Sequence, residues 1–405
     1  MIRIGIVGCG RILAAHLRGF RLLREAGVDD FQITALCARK EIDALGYVDR
    51  NGGVPQRRAV SDIPGDPLAI SEEYLSDFQP GVDVAVYTDY QKMIEEGPID
   101  AVHDYTVHSL HHKIAELAFK HGKHLCSQKP QAITIKAAKR MCDQAAAAGV
   151  TFGVFENFRY APGTRRIKAC FEPNSVLGDL QMVLLGAAGK WWAPNKIVAE
   201  TPWRHKLIEA GGIALDLGPH MFDLVRYIAG EMKTVMGRTD VVEKTRFTWD
   251  ADGTETDRID CDADDTFYAS FDTESSVSGS VYGSWAGHGE ATLLAEGPVF
   301  YGSKGRVTGD RLTLDGEEPK SLAESVEIDL PFGLDNDFAL CALDWLEAVK
   351  NGTQPETNGD EGLRDLAAAF AVVESSLAGR QVSMNEILSG EVSAYQDPIN
   401  AHYGI

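Results

Sequence analysis

Met1-Ile-Arg-Ile-Gly-Ile-Val-Gly-Cys-Gly-Arg-Ile-Leu13 opens the chain and governs how the remainder is read. Ile2, Ile4, Ile6 and Val7 have the pattern of a buried strand, and a helical pattern begins with Ile12, Leu13, His16, Leu17 and Phe20. Between them stands Gly8-Cys9-Gly10. Strand, glycine turn and helix form the start of a nucleotide-binding βαβ unit, because a pyrophosphate must approach the turn's backbone and face the N–H groups of the helix start. Gly8 and Gly10 occupy the first two glycine positions of that fingerprint, while the third holds Leu13, where Gly or Ala permits close packing. The pattern predicts a dinucleotide turn whose helix sits slightly further from its strand. An ordinary tight turn after a first strand is the plainer alternative.

The chain has 405 residues, enough for two domains and a large core. Its 44% hydrophobic and 24% charged content is that of an ordinary globular protein. With no apolar run of membrane-spanning length and no signal-peptide layout before the glycine turn, a cytoplasmic protein without membrane contact is expected. Seven scattered cysteines without a C-x-x-C pair point to reduced thiols rather than disulfides or zinc. A formal charge of −21 repels nucleic acid and anionic membranes, although local backbone and a few basic side chains can still hold an anionic cofactor.

Strand and helix alternate through the first part of the chain. Phe31–Ala38 reads as a second strand, followed by Arg39 and Lys40 where an NAD site usually carries an acidic residue. These two cations suit a 2′-phosphate, which gives a lean to NADP over NAD. Residues 52–81 read as an insertion or long loop, with a short strand at Val82–Val86. Further strands are expected at Ile99–His103, His124–Ser127 and Thr151–Phe155, and helices at Leu110–His121 and Ile133–Ala148. The fold class is therefore α/β: a Rossmann doubly wound parallel sheet over 1–156. An α+β domain with a large, mostly antiparallel open sheet is expected over 157–388, including a strand at Ala291–Glu296 and helices at Asp337–Lys350 and Gly362–Ala378. The polar tail, 389–405, is expected to wrap a neighbouring subunit.

Several separated motifs together resemble one family, the glucose-fructose oxidoreductase / inositol dehydrogenase / rhizopine-catabolism (Gfo/Idh/MocA) oxidoreductases. They are Gly8-Cys-Gly-Arg-Ile12, Thr106-Val-His-Ser-Leu-His111, Gly122-Lys-His-Leu-Cys-Ser-Gln-Lys-Pro130, Glu156-Asn-Phe-Arg-Tyr160, Gly211-Gly-Ile-Ala-Leu-Asp-Leu-Gly-Pro-His220 and Gly302-Ser-Lys-Gly305. Their order and spacing span most of the chain. The resemblance implies that Gly8, Gly10, Arg11, Ile12, Arg39, Thr106, His108, His111, Gln128, Lys129, Asn157 and Arg159 meet the cofactor. It assigns catalysis to Lys129, Asp216 and His220.

In the family's Glu-Lys-Pro motif the lysine reaches the substrate hydroxyl; here the motif is Gln128-Lys129-Pro130, which keeps the length and hydrogen bonding of Glu but loses its charge. An ammonium suits the task because an alcohol that loses hydride must also lose a proton. By the same resemblance His220 is the acid/base and Asp216 orients the substrate or the imidazole. A spacing of four, with Pro219 favouring a helix start between them, leaves open the alternative that Asp216 merely caps a helix. Trp203 and Arg204, with Trp191 and Trp192, suit the apolar face and polar rim of a sugar, although the tryptophans also suit a core. Tyr282, Trp285 and His288 lie where a second domain can close the site. His112 and Glu116 stand one helical turn apart but lack a third ligand, and no metal is expected.

These readings together predict an NAD(P)-dependent oxidoreductase acting on a ring hydroxyl or ketone of a sugar, glycoside or cyclitol, assembled as a homodimer or homotetramer. Two alternatives remain at this stage: a redox-assisted glycoside hydrolase that recycles a tightly held NAD, and a ligand-binding regulator without chemistry.

Overall fold

The computed structural model describes all residues except 64, 190–191, 290–291 and 294–296. Trp191 and most of the strand expected at 291–296 thus lie outside the described residues; Thr292–Leu293 is a strand. The chain forms two compact units, one from 1–133, 137–160 and 330–363, the other from 134–136, 161–329 and 364–405.

In the first unit β1 (Ile2–Val7), β2 (Phe31–Cys37), β3 (Ala85–Tyr87), β4 (Ala101–Asp104), β5 (His124–Gln128) and β6 (Phe152–Phe155) make a six-stranded sheet in the order β3-β2-β1-β4-β5-β6. Every pair is parallel. Ile4, Ile6, Ile33, Leu36, Val102 and Leu125 are fully buried, as continuous apolar strands covered on both faces require. The helices α1 (Leu13–Glu25), α2 (Glu41–Leu45), α3 (Tyr90–Glu96), α4 (His108–Lys120) and α5 (Ile135–Ala148) follow their strands. Strand order reverses between β1 and β4, and the carboxyl ends of those two strands are where a doubly wound sheet binds ligands.

One expectation needs correction here. The third strand lies at Ala85–Tyr87 rather than Val82–Val86, because Gln79 occupies the edge of β2 first: its amide accepts from Ile33 N at 3.0 Å and donates to Ile33 O at 2.8 Å. The first unit also takes in residues 330–363 from beyond the expected boundary at 156. The helix Asp337–Asn351 packs with the first unit, where Gly19 of α1 leaves room for it: a Cβ there would stand 3.1 Å from Ala339 N. Its Trp345 is buried and donates to Leu125 O of β5 at 3.1 Å.

The second unit is built on a ten-stranded sheet running Lys320–Ser321, Arg311–Leu314, Gly305–Thr308, Val299–Gly302, Leu180–Ala188, Ser278–Ser284, Thr266–Thr273, Met232–Asp240 and Val382–Ser383, with Thr292–Leu293 pairing to Leu180–Ala188 off this path. All pairs are antiparallel except Leu180–Ala188 with Ser278–Ser284. Alternation is clear: Val183, Val235, Phe267, Phe271, Val281 and Phe300 are buried on one face. The tail belongs to this same unit. Ile399 of the helix Asp397–Tyr403 is fully buried, Gln396 accepts from Ile135 N at 2.8 Å, and Tyr403 donates to Glu209 at 2.8 Å.

Candidate active site

The first unit supplies the geometry of a nucleotide turn. Gly8 has φ +103°, and a Cβ there would lie 2.6 Å from the carbonyl of Tyr105 in the turn after β4. Only glycine lets the two turns at the switch point pack backbone to backbone. At Gly10, by contrast, a Cβ would meet nothing within 4 Å, so the space beside it is open. α1 has no side-chain cap at Ile12 and no acidic residue in its first turn, which fits an anionic group at that helix start. Leu13, at the third fingerprint position, is completely buried in the core. Arg11 reaches the carbonyl of Arg58 at 3.5 Å, and Arg39 and Lys40 are exposed at the start of α2. Tyr47, which sequence reasoning missed, ties its hydroxyl to Gly10 O at 2.9 Å.

Beside it, Thr106 donates through N and Oγ1 to Asp104 Oδ1 at 2.9 and 2.7 Å, a side-chain turn that a D-x-T spacing signals. Asp104 is buried, and burial raises its carboxyl above the usual range. His108 is buried at the start of α4. His111, expected at the cofactor, is 1% exposed, with Nδ1 3.1 Å from Pro130 O and Nε2 3.2 Å from Thr106 O, so it ties the turn after β4 to the turn after β5. Gln128 and Lys129, at the end of β5, are partly exposed. Gln128 donates to His16 Nε2 at 2.7 Å and accepts from Lys129 N at 3.1 Å.

Asn157 and Arg159, also expected at the cofactor, have partners within the first unit. Asn157 donates to Asp337 Oδ2, while buried Arg159 pairs with Glu361 at 3.1 Å. Residues distant in sequence fold back onto the end of the sheet and take up these side chains, which no local motif reveals. His112 is buried and held down to about 4 by that burial, and Glu116 pairs with Arg140 at 2.6 Å. Among the described residues no group of three or more His, Cys, Asp or Glu is arranged to hold a metal. The cysteines are free thiols, and burial pushes Cys37 up to about 12.

In the second unit, Arg204 sits at the centre of a compact cluster. Its Nε donates to Asp216 Oδ2 at 3.0 Å, its Nη1 donates to Thr201 Oγ1 at 2.5 Å, and its guanidinium carbon lies 4.3 Å from the Trp203 ring centre. Gly211 and Gly212 make this possible. A Cβ at Gly211 would stand 2.6 Å from Arg204 O, and Gly212, at φ +108°, donates to that carbonyl at 2.8 Å. The chain then makes one short helix, α6 (Ile213–Asp216), breaks at Leu217 and restarts as α7 (Gly218–Ala229) with Pro219 in the first turn. Asp216 and partly exposed His220 therefore flank the break. The capping alternative for Asp216 gives way to its pairing with Arg204; Leu217 stands at the N-cap.

The support beneath this cluster was not legible in the sequence. Buried Asp264 accepts from Ala214 N at 3.0 Å, and burial pushes its carboxyl up to about 7. His205 accepts from Val198 N at 3.1 Å and is lowered to about 3 by burial. Arg246 and Asp265 form a fully buried ion pair at 2.9 Å, and Arg246 also donates to Lys196 O at 2.9 Å and Trp192 O at 3.2 Å. The tryptophan-bearing loop is thereby fixed to the sheet. Of the residues expected to close a site, Trp285 is buried beside His205, His288 is exposed near Glu243, and Tyr282 stacks on Tyr268.

Comparison with known proteins matches residues 2–156 to the model described as oxidoreductase family, NAD-binding Rossmann fold, and residues 165–308 to the GFO/IDH/MocA C-terminal domain. The chain is 28% identical over 205 residues to the D-xylose dehydrogenase of Paenarthrobacter nicotinovorans, covering 49% of this chain and only about half, 51%, of that protein. It is 23% identical over 393 residues to the D-apiose dehydrogenase of Paraburkholderia graminis, covering 94% and 89%. The solved structure of a levoglucosan dehydrogenase in complex with NADH and L-sorbose shares the fold with a TM-score of 0.73 at 18% identity, over 96% of this chain and 100% of that one.

Proposed function

The chain belongs to the Gfo/Idh/MocA oxidoreductase family, with its NAD-binding Rossmann fold, and from that premise we propose that it is an NAD(P)-dependent dehydrogenase of a sugar or cyclitol ring hydroxyl. One observation carries this reading: an uncapped helix start beside open space at Gly10 lies at the switch point, and Lys129 follows β5, the strand next to β4 in the same sheet. Relatives named as D-xylose and D-apiose dehydrogenases support the substrate class. Exposed Arg39 and Lys40, in an Ala38-Arg39-Lys40 stretch that replaces the usual acidic residue directly after β2, support NADP over NAD.

When bound, the nicotinamide accepts or returns the hydride. In this reading the backbone of Gly8–Ile12 and Thr106 holds the cofactor, and Lys129 supplies the ammonium that stabilises the developing alkoxide. His220 takes the hydroxyl proton, a task suited to an imidazole. Asp216, held by Arg204, presents its carboxylate to ring hydroxyls, and Trp203 offers an aromatic edge. A homodimer or homotetramer in the cytoplasm completes the proposal. Its support is the sheet face on which Met182, Met236 and Tyr268 stand 40%, 53% and 57% exposed, in successive rows of the same side. No described helix is long and apolar enough to cross a membrane.

The test is to mix cofactor-stripped protein anaerobically with NAD or NADP and a panel of sugars, cyclitols and glycosides, following reduced-nicotinamide absorbance and product mass together. Stoichiometric reduced cofactor with a ketone product is expected, more readily from NADP. Release of an aglycone without net reduction, or binding without any turnover, would overturn the proposal.

A further inference from the structure

His16 and Gln128 meet inside the first unit at 2.7 Å, joining α1 directly behind the glycine turn to the residue that precedes Lys129. The imidazole of His16 is enclosed by aromatic rings: it stacks on Tyr105 at 3.7 Å between centroids and meets the edges of Phe155 at 4.2 Å and Phe338 at 5.0 Å. Only 2% of the residue is exposed. The Gln128 amide divides its two functions. Its Nε2 donates to His16 Nε2, while its Oε1 accepts the backbone N–H of Lys129 at 3.1 Å. The receiving ring nitrogen must therefore carry a lone pair, with the ring proton on Nδ1.

We propose that Gln128 is a positioning residue for Lys129, working with His16 as a matched amide–imidazole pair in which position 128 must be an amide rather than a carboxylate. This rests on the reading of Lys129 as the residue acting on the substrate hydroxyl. A carboxylate at 128 offers acceptors only, so its oxygen would face the lone pair of His16 Nε2 across the same short distance. It could be accommodated only by moving a ring proton to Nε2, by adding one to a buried ring, or by protonating the carboxyl itself, so that the pair would depend on pH. An amide meets both partners without any charge. Burial already holds the His16 imidazole well below its ordinary value, in keeping with a neutral pair. The titratable groups around it are His103 and Tyr105, themselves joined at 2.7 Å, with buried Asp104, Cys126 and Cys341 acting on Tyr105, and Lys129 on the Gln128 side. Because the amide also holds the Lys129 backbone, the direction in which the lysine leaves β5 is coupled to the helix that starts the nucleotide turn.

The experiment compares Q128E, H16Q, H16L and K129A with the wild-type full chain. It reads imidazole 15N shifts of histidine-labelled protein from about pH 5.5 to 9, NADH affinity by the fluorescence of bound NADH, and turnover against pH with the substrate found by the screen above. His16 in the wild type should show the Nδ1–H neutral form throughout. In Q128E the ring should take up a proton or shift it to Nε2, or the introduced carboxyl should hold the proton itself, and turnover should fall about tenfold or more with a new pH dependence, while NADH affinity stays within about threefold. H16Q, whose amide oxygen replaces the accepting nitrogen, should keep turnover within about threefold, and H16L should match the loss in Q128E. A wild-type pH profile and turnover in Q128E, or equal damage in H16Q and H16L, would overturn the inference. If K129A also kept its turnover, the reading of Lys129 itself would fail; an inactive K129A beside an unaltered Q128E would refute the pair alone.

Discussion

Replacing Arg246 with Met should destabilise the second unit severely. The Arg246 side chain is fully buried, Asp265 is 1% exposed, and their nitrogen and oxygen stand 2.9 Å apart. Methionine fills much of the volume but leaves the carboxylate of Asp265 buried without its cation. The backbone N–H groups of Val242 and Glu243 still donate to it at 2.8 and 2.9 Å, so hydrogen bonding is partly retained while the charge is uncompensated. Breaking one side of such a pair costs about 3–5 kcal/mol. In a unit of about two hundred residues each kcal/mol lowers the melting temperature by ~2–4 °C, so the unit's transition should fall by roughly 6–20 °C. Calorimetry of R246M, D265N and the double variant measures this, and the double should be less destabilised than the sum by about 1–3 kcal/mol. Amide exchange at Ile197, whose N–H donates to Phe247 O at 2.8 Å, should accelerate as the loop loses its hold through Lys196 and Trp192. A loss below about 1 kcal/mol, or strict additivity, would refute the argument that the pair is both buried and coupled.

The two glycines of the nucleotide turn should respond differently to alanine. G10A introduces a methyl group that no protein atom opposes, so stability should change by less than about 0.5 kcal/mol while dinucleotide affinity, read by NADH fluorescence, falls about tenfold. G8A should destabilise the first unit by about 1–3 kcal/mol through its positive φ and its collision with the Tyr105 carbonyl, seen as a lower melting temperature. Undiminished NADH binding by G10A would remove the close approach of a pyrophosphate at that turn. Asp264 gives a pH dependence of definite sign. With its folded-state value raised to about 7 above an unfolded value near ~4, the native state binds the extra proton between them. The group's contribution to stability is therefore highest at the acid end and lost as pH rises through that window. The melting temperature of D264N should show less of this decline across pH 4 to 7 than the wild type, and identical slopes in the two proteins would contradict the assignment.

Much of the first unit was legible in the sequence because its signals are local. The apolar run Ile2–Val7 breaking into Gly8-Cys9-Gly10 specifies a strand, a turn and a helix from residues that touch one another, and the motif spacing carried the family. The helix restart at Gly218-Pro219 was legible for the same reason: proline's fixed φ and missing N–H restrict where it can stand. What the sequence did not contain was the identity of distant partners. Arg159 is a cofactor cation by motif, and only the fold shows Glu361 beside it; Tyr282 was placed where a second domain could close the site, and only the fold shows it stacked on Tyr268. Position 128 departs from the family's Glu in a way that became intelligible only when His16 was found against it, 112 residues away in the chain. The sequence by itself determined the elements and the chemical types at the site, because backbone conformation and burial pattern are set by near neighbours. Only the tertiary structure decided which of those side chains are engaged elsewhere, because hydrogen bonds and ion pairs between remote segments depend on the packed fold rather than on spacing.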